Sequence, residues 1–179
     1  MKFHKAPLAI FTALIVSSAT VYAAPAPSAG SGKVHFEGSI IDAPCSLDSK
    51  SVDQTVIMDQ VSNKALADNG TSEVKNFNIE LRQCDISTLK KVKVTFGGDA
   101  DANDSSLLGI AGSAKGAGIV LTNGSGVQVK LGEASTARTL LQGDNTLVFG
   151  AYLKGTTAKD EAVTPGSFNA TANFMLAYE

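Results

Sequence analysis

The chain has no tryptophan, two cysteines, two histidines and three tyrosines, and aromatic residues make up 6% of its 179 positions. Each scarcity removes a class of function. Beyond the first residues only Tyr152 and Tyr178 could stack on a sugar ring, so the pattern does not fit a carbohydrate-gripping module. His35 stands without a second histidine downstream or a free thiol, and no nucleophile–base–acid triad can be built around it. Basic clusters are missing and the formal charge is −2, which leaves no electrostatic footprint for nucleic acid. Asp99, Asp101 and Asn103 imitate the opening of a calcium loop. Asp104 then stands where that loop needs glycine, and Ile110 where it needs a bidentate glutamate. The glycine-rich stretch 109–118 lacks the Lys-Ser/Thr ending of a phosphate loop and reads as a flexible connection. Acid pairs such as Asp160 and Glu161 read as solvated loop residues. The expectation is a protein that is not an enzyme and uses no cofactor and no metal.

What is present begins with a leader. Lys2 and Lys5 precede an apolar run at 7–16 and a small-residue stretch that ends at Ala23. Val21 and Ala23 satisfy the small-residue rule, which places cleavage between Ala23 and Ala24. The run is too short for a membrane span, so residues 1–23 are expected to be a secretory signal peptide. The remainder, 24–179, suits one domain with a real core. In an exported chain, the even pair Cys45 and Cys84 reads as one disulfide. By the loop-closure argument it would contribute about 3–4 kcal/mol.

After a start composed of Ala, Pro, Ser and Gly at 24–32, the patterning is β nearly everywhere. Phe77, Ile79 and Leu81 alternate with Asn78, Glu80 and Arg82; Val92, Val94 and Phe96 alternate with Lys91, Lys93 and Thr95. Hairpins are expected around 123–126, with arms 118–121 and 127–131, and around 142–145, with arms 139–141 and 146–153. A short helical turn is expected at 61–67. Period-two runs separated by Gly, Asn and Asp turns at this density indicate an all-β sandwich. Asn69, Asn103, Asn123 and Asn169 each open an N-x-S/T triplet and read as turn and strand-face residues.

The two ends carry the most information. Phe168, Ala170, Ala172, Phe174, Leu176 and Tyr178 fall on one strand face, which predicts a long core strand up to the last residue. Val34, Phe36, Gly38 and Ile40 share a face opposite Lys33, His35, Glu37 and Ser39. Periodicity alone leaves two readings for this segment, an ordinary first strand or a detachable one.

Several stretches together resemble the pilins of chaperone–usher fimbriae, most of all P-pilus-type major subunits. They are Gly32-Lys33-Val34-His35-Phe36-Glu37-Gly38, Ile41-Asp42-Ala43-Pro44-Cys45, Ile79-Glu80-Leu81 before Cys84, the penultimate Tyr178, and Gly166 as the fourteenth residue counted from the end. The resemblance implies an incomplete immunoglobulin-like sandwich that lacks its last strand and is completed by donor-strand complementation. It implies a donor extension at 24–41 and a pilin domain at 42–179, with Val34, Phe36, Gly38 and Ile40 as the donated face. Gly38 is then either the place where the donor backbone approaches its acceptor closely or a plain bulge glycine. The implied partners are copies of the chain and other pilins, a periplasmic chaperone and an outer-membrane usher. Gly166, Phe168, Phe174, Leu176 and Tyr178 form the implied chaperone and assembly motif. The implied function is a structural subunit of a cell-surface fimbria that supports adhesion. A minor pilin or adhesin that binds a host ligand directly is the alternative, although tip adhesins of this kind carry an extra lectin domain for which this length leaves no room.

Overall fold

The alternating runs become strands because each can bury one face and leave the other in water. The computed structural model describes residues 30–157 and 162–179. The expected leader at 1–23, residues 24–29 of the expected extension and the pair Asp160 and Glu161 lie outside the described residues. The chain divides into two units, Met1–Ile40 and Ile41–Glu179. In the first, residues 30–40 carry neither strand nor helix.

The second unit contains β1 (Ser46–Leu47), a one-turn helix α1 (Ser49–Val52), a 3-10 turn (Ala67–Asn69), β2 (Lys75–Cys84), β3 (Lys91–Gly98), β4 (Leu108–Gly109) and β5 (Ala111–Gly112). It continues with β6 (Ala117–Asn123), β7 (Arg138–Thr139), β8 (Gly143–Gly155), β9 (Phe168–Asn169) and β10 (Ala172–Tyr178). The strands form a five-stranded sheet in the order β1-β2-β8-β6-β4, a three-stranded sheet β10-β3-β7 and a two-stranded sheet β5-β9. One core lies between the two larger sheets. Ile79 and Leu81 of β2, Ile119 and Leu121 of β6, and Leu147 and Phe149 of β8 meet Val92, Val94 and Phe96 of β3. Each such side chain contributes about 1.5–3 kcal/mol by leaving water. This is the all-β sandwich that the patterning predicts.

Four local expectations change. Thr139 and Thr146 are not arms of one hairpin. β7 pairs with β3 in the smaller sheet while β8 belongs to the larger, so the chain crosses between sheets at 140–142. Leu140 is buried in the core, and Gly143, at φ 88°, turns the chain into β8. The return arm at 127–131 is not a strand; it keeps a single bridge, Gln128 to Thr122, beside a turn held by the Asn123 side chain. The helical turn expected at 61–67 is a run of turns that closes in the 3-10 turn at Ala67–Asn69. The stretch 109–118 is no flexible connection either, because it holds β5, the end of β4 and the start of β6. Its glycines serve close packing: a Cβ on Gly109 would lie 2.8 Å from the Ala100 carbonyl oxygen.

Candidate functional site

β10 pairs through its full length with β3, from Ala172 opposite Gly98 to Tyr178 opposite Val92. No described strand pairs with its other edge, so β10 ends the three-stranded sheet. Its face follows the predicted alternation without exception. Phe168, Ala170, Ala172, Phe174, Leu176 and Tyr178 all point to the core, while Met175 and Ala177, apolar residues on the other face, are exposed. The expected single strand is nevertheless two. β9 pairs with β5 in its own small sheet, and the chain passes through Ala170 and Thr171 before β10 begins.

None of the six core-directed residues is fully buried, whereas Val92, Val94 and Phe96 across the ladder are. The same chemistry at the same depth is half wet on one strand and dry on the next because the sheet stops at β10. Phe77 shares this condition. It stacks on Phe149 at 5.8 Å and meets Phe96 edge-on at 6.1 Å, yet stays partly exposed. An open strand edge above a partly wet apolar floor is a template for another strand.

The two ends of β10 are built differently. At its C-terminal end the Glu179 carbonyl accepts both Lys90 and Lys91 backbone N–H groups at 2.9 Å. Lys93 Nζ lies 2.7 Å from the Glu179 carboxylate, and this hydrogen bond holds the carboxyl below the usual range. Burial pushes the Tyr178 hydroxyl up. Upstream of β10 a clasp holds the chain: Ser113 and Ala114 N–H groups donate to the Ser167 carbonyl at 3.0 and 3.1 Å, and Ser167 N–H donates to Ser113 Oγ at 3.0 Å. Gly166 is in the clasp because a Cβ there would meet Ser113 Oγ and lie 2.6 Å from Ala114 N. The clasp thus gives an intramolecular reason for glycine at this position. Gly166→Val should cost about 1–3 kcal/mol through overpacking and should lower the temperature at which assembled material dissociates. An unchanged dissociation temperature would remove this account of the glycine.

At the pole where β2 begins, a cleft of about 270 Å³ is lined by Met58, Val61 and Ala65 together with polar residues that include Asp59, Thr71, Glu73 and Lys75. Lys75 Nζ pairs with Asp59 at 2.5 Å. At the other pole the Cys45–Cys84 disulfide joins the chain entry to the end of β2, as the sequence predicts. Arg82 ties this pole together, 2.8 Å from Asp48 and 3.0 Å from Asp144. Its hydrogen bond is the main cause that holds the Asp48 carboxyl below its ordinary value; for Asp144 the Gln83 backbone N–H comes first and Arg82 second. Sequence patterning identified neither the cleft nor these charged ties, since period two says only that Arg82 faces outward.

In the first unit, Val34, Phe36 and Ile40 are 76%, 90% and 103% exposed, and a Cβ on Gly38 would meet nothing within 4 Å. Three large apolar side chains on one face of an unpaired segment have a strong drive toward an apolar surface. Among the described residues no group of three or more His, Cys, Asp or Glu side chains could hold a metal ion.

Residues 34–179 match a family model described as fimbrial protein. The chain is 50% identical over 179 residues to the fimbria A protein of Serratia marcescens, with 100% of both chains aligned. It is 43% identical over 180 residues to the major MR/P fimbria protein of Proteus mirabilis strain HI4320, again across 100% of each. Among solved structures it is similar to a chain of a chaperone–usher pilus, at 36% identity and a TM-score of 0.75, covering 87% of this chain and 100% of that one. It is also similar to the P pilus rod subunit PapA, at 36% identity and a TM-score of 0.68, covering 76% and 100%.

Proposed function

The chain belongs to the fimbrial protein family, and we propose that it polymerises by lending residues 24–41 as a strand to the open edge of β10 in the next copy. It is a structural subunit of an exported cell-surface fimbria that supports adhesion, and the direct ligand-binding alternative is not favoured. The single observation that carries the strand-donation reading is the half-wet face of β10 at an unpaired edge, in a chain that also has an exposed segment of matching period. Main-chain bonds to β10 would supply affinity, and alternate side chains would supply register. Burial of Val34, Phe36 and Ile40 at about 1.5–3 kcal/mol each gives on the order of 5–9 kcal/mol before ordering costs.

The poles favour one direction of entry. Pro44 accepts the Asp85 N–H at 2.8 Å, and Glu179 is bonded to Lys90 and Lys91, so the donor root and the end of β10 share one pole. A donor entering parallel to β10 would bring root pole against root pole and crowd the exit of the acceptor's own donor. Antiparallel entry stacks unlike poles, a head-to-tail contact that propagates into a fibre. It also matches sizes along the edge: Val34 near Tyr178, Phe36 near Leu176, Gly38 near the bulky Phe174 and Ile40 near the small Ala172.

Before exchange, a periplasmic chaperone covers the same face, from Gly166 and Phe168 through Phe174, Leu176 and Tyr178, and an outer-membrane usher receives the complex. This part of the reading rests on family membership and on the need to shield the open edge. The test is Gly38→Leu. A side chain opposite Phe174 should force the donor off the floor and stop polymerisation in a gel assay, while the thermal midpoint of the chaperone complex stays at the wild-type value. A lowered midpoint, or normal polymerisation, would count against strand donation at this register.

A further inference from the structure

The root pole carries an apolar pair that the donor strand does not use. Lys91 faces Thr139 in the β3–β7 ladder, and Leu140 N–H donates to the Lys90 carbonyl at 2.8 Å. Leu89 and Leu141 are the residues next along the chain beyond this Lys90–Leu140 bond. Both are exposed, Leu141 to 69%. Leu141 is not loose: its N–H donates to Asn145 Oδ1, and Asn145 Nδ2 donates back to its carbonyl, both at 2.8 Å. Asn145 thus fixes the backbone of an exposed leucine, which lowers the ordering cost of a contact. The pair adjoins the donor root. Pro44 is bonded to Asp85, and the next residue, Ile86, donates its N–H to the Gln142 side chain at 3.3 Å.

Resting on the strand-donation reading above, we infer that this leucine pair is a second contact between successive copies, seating Leu141 on the cleft pole of the acceptor. The chain between Ile40 and Cys45 sets the reach. Five residues span at most about 16–18 Å, so once Ile40 is anchored near Ala172 the root pole is held over the pole where β10 and β2 of the acceptor begin. That pole carries the cleft, where Met58, Val61 and Ala65 offer an apolar patch among polar neighbours that include Asp59, Glu73 and Lys75. The tether makes the contact effectively intramolecular, so a small apolar area suffices. The occupant is a second copy of this chain, and the contact orients one subunit on the next, which a short covalent link alone does not do.

The test is a double variant, Leu141→Cys with Ala65→Cys, assembled into fibres, mildly oxidised, and dissociated under non-reducing conditions. The expected result is a ladder of covalent multimers holding most of the protein, with no ladder from either single variant. Recovery of monomer alone from well-formed double-variant fibres overturns the contact and leaves strand donation standing. Failure of strand donation itself shows elsewhere, as fibres that persist in the Gly38→Leu chain.

Discussion

Removing residues 24–40 should leave a domain that keeps its disulfide and binds its chaperone, yet forms no fibre. The deletion spares every strand of the second unit and the whole of the half-wet β10 face. It takes away the exposed apolar side chains of Val34, Phe36 and Ile40. A loss on the order of 5–9 kcal/mol per junction corresponds to roughly a 10⁴- to 10⁶-fold weaker subunit contact. No fibre survives that. Electron microscopy of surface material and co-purification with the chaperone measure the two halves of the expectation. Normal fibres from the deleted chain would end the strand-donation reading, and loss of chaperone binding would place part of the groove in the deleted segment.

The second large effect is expected from Cys45→Ala combined with Cys84→Ala. The two sulfurs are buried and close a loop of sequence separation 39. Opening it should cost about 3–4 kcal/mol by chain entropy. The change also releases the donor root, because β1 pairs with β2 at only Ser46–Arg82 and Leu47–Leu81 beside the bridge. The measurable outcome is a fall in the denaturant midpoint of the chaperone complex and a lower yield of exported subunit. In the unaltered protein, dissociated fibres should run as monomer on reducing and non-reducing gels alike, since the bridge lies within one chain. An unchanged midpoint after double replacement would mean that packing around Leu47 and the Asp48–Arg82–Asp144 tie already fixes the root.

Where the fold was legible in the sequence, the reason is local. A strand buries every second residue, so Val92, Val94 and Phe96, and likewise Phe174, Leu176 and Tyr178, declare their inward face without knowledge of any partner. The same rule exposed the apolar face of Val34, Phe36 and Ile40. Where it failed, the deciding contact was distant in sequence. The clasp around Ser113 and Ser167 cut the expected C-terminal strand in two, and the burial of Leu140 sent β7 and β8 to different sheets.

The amino-acid order by itself determined the export pattern, the β class, the cysteine pair and the two alternating ends, because charge, period and count are properties of neighbours along the chain. Tertiary structure alone decided how the cysteine reaches its partner and which edge stays open. Alternation from Ile79 and Leu81 would point Gln83 inward. Instead Gln83, at φ 52°, forms a bulge that shifts the register with β8 and turns Cys84 into the core. The open side of β10 is likewise a fact about a missing neighbour. A strand's period states which face is buried, but how many partners flank it depends on where the rest of the chain runs.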